Sequence, residues 1–297
     1  MYILNRRNFL QLTAGAAVGT ALSTYTGPVS AAGLGASADV FTADPLGGLV
    51  DSVLVVGEEK LLLIDAQFTV PNATRLADII DATGKDLETI FVTHYHPDHH
   101  LGLAVLMARF PNAKPVAHSS VQPAIANAAE AMRAGSAQNY PEGMIADSAF
   151  IPDALAGDML MLEGERFDVL GPMHGDTDII TPVHMPQLDT LVAADMIYND
   201  THLWTAENTT AERIALWRDN LTELEGLGAT TIIPGHRTET TANDASGFAH
   251  MRTYLDAWEV ALADTQNAAD LKAAMIEKVG ALPGEFFLDR GVAAAKS

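Results

Sequence analysis

The chain has 297 residues, 48% of them hydrophobic and 19% charged, and contains no cysteine. This composition supports a large buried core and excludes a disordered chain, while the absent cysteines exclude disulfide scaffolds, thiolate zinc sites, iron–sulfur clusters and a cysteine nucleophile. Lysine plus arginine number 17 against 38 aspartate plus glutamate, a formal charge of −21, so phosphate backbones are repelled and nucleic acid is not an expected partner.

Residues 1–38 hold no acidic residue; their charges are Arg6 and Arg7, followed by the mildly apolar stretch Phe9 to Leu22 and a run of small residues. That is the layout of a signal peptide. The string Asn5-Arg6-Arg7-Asn8-Phe9-Leu10-Gln11 resembles the twin-arginine export signal, which moves proteins already folded. Export through that machinery to the periplasm or beyond is therefore expected, with cleavage after Ala31 or Ala38. Thr13, Gly15, Gly19 and Thr20 interrupt the apolar stretch, so stable membrane anchoring is not expected. Residues 39–297 read as one domain, with a core from about 45 to 240 and a helical extension from 244 to 297.

Two apolar runs, Leu49 to Val56 and Lys60 to Ala66, flank Gly57-Glu58-Glu59 and predict a hairpin of buried strands. Thr74 to Thr83 places Leu76, Ile79 and Ile80 on one face and stops at Gly84, a helix with a glycine beyond its end. Thr89 to Thr93 is the next strand. Strand, helix, strand and polar loop in that order make the fold class α/β, in layers. Ala137 to Pro152, rich in turn formers, predicts a surface loop near a pocket. Short strands follow at Met159 to Leu162, Arg166 to Leu170 and Thr190 to Ala194, then a helix over Ala211 to Leu227 and a strand over Thr230 to Ile233. Residues 244–280 predict one or two helices, which could serve a homodimer, and 281–297 carry no clear signal.

The chemistry concentrates at His94-Tyr95-His96-Pro97-Asp98-His99, three imidazoles and a carboxylate in six residues directly after a strand, where α/β proteins place their ligands. Imidazole and carboxylate suit zinc and other borderline divalent ions. One loop cannot complete a site, because neighbouring side chains splay apart. Further candidates stand at later strand ends: His174 after Asp168 to Met173, Asp195 after Leu191 to Ala194, and His236 after Ile232-Ile233-Pro234-Gly235.

With these residues, the stretch from about 45 to 240 resembles the metallo-β-lactamase superfamily, whose signature is HxHxDH followed by a His, an Asp and a final His. The resemblance implies a four-layer αββα sandwich of two similar halves with metals at one edge of the sheets. Carried over by position, His94, His96 and His174 would hold one metal, Asp98, His99 and His236 a second, and Asp195 would bridge both. The implied cofactors are two divalent ions, zinc first, with iron or manganese accepted by nearly the same ligands.

Departures narrow the branch. Class B1 and B2 β-lactamases place a cysteine in the second site, and class B3 enzymes lack the bridging aspartate. Flavin-linked di-iron members carry glutamate where His96 stands. Thioesterases of the glyoxalase II type and acyl-homoserine-lactone lactonases keep the bridging aspartate, and the lactonases add a tyrosine three residues after it, as Tyr198 follows Asp195 here. The expected activity is a metal-dependent hydrolase in which a metal-bound hydroxide attacks the carbonyl of a lactone, ester or thioester, a small-molecule substrate. Tyr198 would donate to the developing oxyanion and Asp98 would pass a proton to the leaving group. A β-lactamase-type amide hydrolase and a non-catalytic metal-binding module are the alternatives. His202 and Trp204 are candidates for a pocket wall, and Asp65 for support of the ligand loop; Thr93 and Thr177 would bond ligands or cap turns. His100, His118, His184 and His250 read as structural.

Overall fold

The computed structural model describes residues 26–30 and 37–297. The export-signal reading otherwise lies outside the described residues. Strand β1 (Thr26–Ser30) pairs antiparallel with β2 (Ser37–Thr42), which pairs with β3 (Asp51–Val56), and β3 with β4 (Lys60–Ile64). A crossover through α1 (Val70–Ala82) leads to β5 (Asp86–Val92), parallel to β4. The single turn α2 (Pro97–His100) and α3 (Leu103–Arg109) then lead to β6 (Lys114–His118), and α4 (Gln122–Ala137) to β7 (Asp153–Leu155), completing a seven-stranded sheet. The second sheet has five strands in the order β12-β11-β10-β9-β8: β8 (Met159–Leu162), β9 (Glu165–Val169), β10 (Val183–Met185), β11 (Thr190–Tyr198) and β12 (Thr231–His236). Helix α5 (Ala211–Glu225) connects β11 to its parallel neighbour β12, and α6 (Ser246–Asp264), α7 (Ala268–Val279) and α8 (Glu285–Ala295) follow.

Strand alternation makes the layers. Val53, Val55, Leu62, Ile64 and Phe91 point between the sheets, where they meet Leu160, Phe167, Val169, Val192 and Ile233 of the second sheet. The intervening Leu54, Leu61, Leu63, Ile90 and Val92 point the other way, onto Leu76 and Ile80 of α1 and Ile125 of α4. On the far side, Leu191, Ala193 and Ile197 of β11 pack against Trp217 of α5 and Tyr254 and Trp258 of α6. Two-residue periodicity thus forces two covered faces per sheet. The result is the expected four-layer αββα sandwich.

The hairpin, first helix and third strand stand where the sequence places them, within a few residues. The described domain begins earlier than residue 39, because Ser37 and Ala38 pair with Val56 and Val55 in the sheet. Apart from Ala137, the last residue of α4, the Ala137 to Pro152 stretch is free of helix and strand. The uninformative tail contains α8, which closes over the second sheet through Phe287, Leu288 and Val292. No helix among the described residues is long and apolar enough to cross a membrane.

Candidate metal centre

The histidine loop leaves the C-terminal end of β5 and turns into α2, with Pro97 in its first turn, so that one tight turn presents Asp98 and His99 together. β11 delivers Asp195 through an irregular stretch: its register to β12 shifts on both sides of Ala194, whose φ is +48°. β12 delivers His236 immediately after Gly235. A Cβ at Gly235 would sit 1.9 Å from Asp195 Oδ1, so only glycine lets this backbone pass the carboxylate.

Two groups of donors result, each with its atoms within 4.8 Å of one another: His94, His96, Asp176 and Asp195 in one, and Asp98, His99 and His236 in the other. Asp195 stands between them. Its Oδ2 lies 3.4 Å from His94 Nε2 and 3.2 Å from His236 Nε2, and its Oδ1 lies 3.1 Å from His99 Nε2. His236 Nε2 is 3.4 Å from Asp98 Oδ2, and His96 Nδ1 is 3.2 Å from Asp176 Oδ2. Donors about 2.1 Å from a tetrahedral ion stand roughly 3.4 Å apart, so these separations fit edges of a coordination polyhedron.

The four imidazoles are each held from behind. Asp65 accepts from Thr93 N–H and Thr93 Oγ1–H at 2.8 Å and from His99 Nδ1–H at 2.8 Å. Thr93 Oγ1 then accepts from His94 Nδ1–H at 3.0 Å. His96 Nε2–H donates to Glu207 Oε1 at 3.0 Å, and His236 Nδ1–H to the Gly48 carbonyl at 2.7 Å. These acceptors take the proton of the outward nitrogen and turn the inner nitrogen of each ring toward the centre, the orientation that metal-ligating histidines require. His94 Nε2, His99 Nε2, Asp176 Oδ1 and Asp195 Oδ1 are buried with no hydrogen-bond partner. Buried donors and acceptors are otherwise almost always paired, and a cation is what this set would satisfy. The residues fit the metal ions that the fold implies.

Six of the seven expected ligands come together; His174 does not. Its Nε2–H donates to Asn208 Oδ1 at 2.8 Å, and its Nδ1, 3.3 Å from Asp178, is buried with no hydrogen-bond partner. Asn208 also donates from Nδ2 to the carbonyls of Gly175 and Asp176, both at 3.0 Å, which locks the turn and aims Asp176 inward instead. Tyr198 departs from its expected role too. Its hydroxyl lies 2.8 Å from Asp176 Oδ2 and 2.9 Å from Asp195 Oδ2, so its one hydrogen serves these carboxylates and not a substrate oxygen. The ring is buried and stacks on His236 at 4.7 Å.

Electrostatics follow from the crowding. Burial, then the Asp176 and Asp195 charges, push the Tyr198 phenol well above its usual range, which keeps it a donor. Burial works against ionising Asp195, but His99, His236 and His94 outweigh it and hold that carboxyl well below the ordinary value. Burial likewise opposes protonation of His99, yet Asp195, Asp65 and Asp98 together raise it well above 6.5. His94, with more burial than compensation, falls to about 4.

Trp204 takes the expected wall position, its ring 5.7 Å from that of His96, with its indole nitrogen buried and unpartnered. His202 does not: its Nδ1 meets the Tyr254 hydroxyl at 3.0 Å, in the helical layer. Asp65, Thr93 and Thr177 all act near the centre, the last donating to Glu207 Oε2 at 2.7 Å. His100, His118, His184 and His250 stay outside both groups. Sequence reading missed Asp176, Glu207 and the aromatic pair on α8, Phe286 and Phe287. Phe287 packs 4.9 Å from His236 and 5.9 Å from Tyr198, and Phe286, 42% exposed, lies 6.2 Å from Trp204. The pattern Phe-Phe just after Pro283-Gly284 was the available signal for α8.

An αββα sandwich carrying a histidine- and carboxylate-rich centre at the ends of β5, β11 and β12 defines a class of metal-dependent hydrolases. The family model of the metallo-beta-lactamase superfamily matches residues 46–236, and the chain belongs to that superfamily. Among solved structures it is similar to metallo-beta-lactamase IND-7, with 16% identity and a TM-score of 0.57 over 78% of this chain and 97% of that one. It is also similar to a metallo-beta-lactamase from Pontibacter korlensis, at 18% identity and TM-score 0.55 over 77% and 98% of the two chains. The metallo-beta-lactamase FIM-1 from Pseudomonas aeruginosa in its mono-zinc form is similar at 14% identity and TM-score 0.54, over 75% and 91%. At these identities the likeness establishes the fold. A search of curated proteins returns no match.

Proposed function

We propose that the protein is a dinuclear metal-dependent hydrolase that opens a lactone, ester or thioester. The observation that carries this reading is the set of donor separations, 3.1 to 3.4 Å, running across two groups that share Asp195. His94, His96, Asp176 and Asp195 would hold one ion, and Asp98, His99, His236 and Asp195 the other. Bound divalent ions, zinc in the FIM-1 form named above and zinc, iron or manganese here, would supply Lewis acidity and a nucleophilic oxygen at neutral pH.

The protein's own groups do the rest. Tyr198 spends its hydroxyl hydrogen on Asp195 and Asp176, fixing the orientation of both carboxylates. Asp98 has the most accessible carboxylate of the centre, its side chain 16% exposed, and is placed to carry a proton to a departing alkoxide or thiolate. Trp204, Phe286 and Phe287 form an apolar wall beside His96 and His236, which excludes water and suits an acyl or ring substituent. The indole N–H of Trp204 adds a donor with no partner in the protein.

β-Lactam hydrolysis is the second reading, favoured by the names of the similar structures, and the absence of cysteine argues against the first two classes of those enzymes. A panel of nitrocefin, a homoserine lactone, S-lactoylglutathione and p-nitrophenyl esters separates the readings. Turnover of the lactone or an ester is expected, and turnover of nitrocefin alone would overturn it. The Arg6-Arg7 leader supports export in the folded state.

A further inference from the structure

We infer that Asp176 takes the place of the third imidazole in the first metal position, giving that position two nitrogen and two carboxylate donors and shifting its preference from zinc toward harder ions such as manganese(II). The inference deepens the metallohydrolase reading and rests on it.

Three observations converge on Asp176. Its carboxylate is buried, with Oδ2 3.2 Å from His96 Nδ1 and within reach of His94 and Asp195, while Oδ1 has no hydrogen-bond partner. Asn208 fastens the turn that carries it, through the carbonyls of Gly175 and Asp176. The same Asn208 accepts from His174 Nε2–H, so rotating His174 inward would strip that amide of one bond. Tyr198 finally joins Asp176 Oδ2 to Asp195 Oδ2 through one hydroxyl. Two carboxylates sharing one hydrogen in a buried place are offset by a nearby cation or by taking up a proton. The ion pairs of Asp176 and Asp195 run to imidazoles.

The chemical consequence concerns which ion is held. Imidazole favours zinc, copper, nickel and iron, whereas carboxylate favours manganese, calcium and magnesium. Replacing one nitrogen by one oxygen also adds a negative charge, so two divalent ions with Asp98, Asp176 and Asp195 leave a smaller residual positive charge than a site with a third histidine. Zinc still outranks manganese in absolute affinity, and the effect to seek is in the ratio.

The test strips the full chain with a chelator and titrates Mn2+ and Zn2+ separately by indicator competition, with Mn2+ paramagnetic resonance as an independent count. The wild type is expected to bind two equivalents of Mn2+. Asp176→Asn should lose one, and Asp176→Glu should keep both. Asp176→His should bind two and raise the zinc-to-manganese affinity ratio by at least about tenfold, while His174→Ala leaves stoichiometry and ratio unchanged. Circular dichroism of each variant reports whether it folds. Loss of one equivalent in His174→Ala with none lost in Asp176→Asn overturns the inference and leaves the hydrolase reading standing. A wild type that binds no divalent ion sinks both.

Discussion

His96 is the most telling single residue of the centre, because both of its nitrogens have a carboxylate. Glu207 accepts from its outer nitrogen and is itself steadied by Thr177 and by the Tyr95 hydroxyl at 3.3 Å, contacts that together with His96 lower the Glu207 pKa to about 2 despite partial burial. A carboxylate in this relation raises the basicity of the ring and fixes its orientation. Glu207→Gln is accordingly expected to weaken the first metal position by roughly 10- to 100-fold with the fold intact, measured by chelator competition. Gly235 is the second decisive residue. An alanine there would press its methyl carbon onto Asp195 Oδ1 at 1.9 Å and toward Asp195 N at 2.9 Å. Gly235→Ala should therefore displace the shared carboxylate, lower stability by about 1 to 3 kcal/mol and abolish binding of both ions; full metal content in that variant would refute the placement of Asp195. At this scale the sequence told much. The six residues from His94 to His99 declare their chemistry by density alone, and Pro234-Gly235-His236 marks its strand end. Choosing between His174 and Asp176 required the path of the turn from Gly171 to Ile180, which has no periodicity to read and is set by Asn208, more than thirty positions away.

Among the elements, β5 and β4 were legible because their short, continuous apolar runs end abruptly in polar residues and leave few alternatives, whereas α8 was not, since its worth lies in tertiary contacts of Phe286 and Phe287. Phe287 is buried between His236, Tyr198 and Trp204. Phe287→Ala should cost about 3 kcal/mol in urea unfolding and raise KM more than it lowers kcat, because it removes part of a wall and no ligand. The loop between β11 and α5, which meets the entry to this helix, carries a pH response. His202 bonds to Tyr254, its backbone N–H donates to the Pro283 carbonyl at 2.8 Å, and burial depresses its pKa to about 4. An unfolded histidine titrates near 6.5, so as the pH falls below that value the unfolded state takes up the proton first. Stability contributed here is complete above about 6.5 and is lost toward 4, amounting to about 1 to 2 kcal/mol by pH 5. Replacing the residue, as in His202→Asn, should flatten the fall in urea midpoint between pH 7 and pH 5; an unchanged slope would show that His202 does not carry it.

For the whole molecule, two sheets packed face to face bring residues 94 and 236 to one place, and the sandwich was legible because each sheet needs two apolar faces. What composition could not show was the local concentration of charge: the net −21 is spread over the surface, while Asp98, Asp176 and Asp195 gather in one buried cluster that the imidazoles only partly offset. Each ion bound by the native chain alone therefore stabilises it by about 2.7 kcal/mol at a free ion concentration a hundred times Kd, which in a chain of this size raises Tm by roughly 5 to 10 °C per ion. Calorimetry before and after chelation checks that figure. The central claim is that the two donor groups joined by Asp195 hold the ions that perform hydrolysis. The measurement that addresses it most directly is homoserine-lactone turnover by chelator-stripped protein as Mn2+ or Zn2+ is returned in counted equivalents. The account predicts negligible turnover without metal and a rate that climbs until two equivalents per chain are bound; turnover that persists in the stripped protein, or that does not depend on the ions returned, would contradict it.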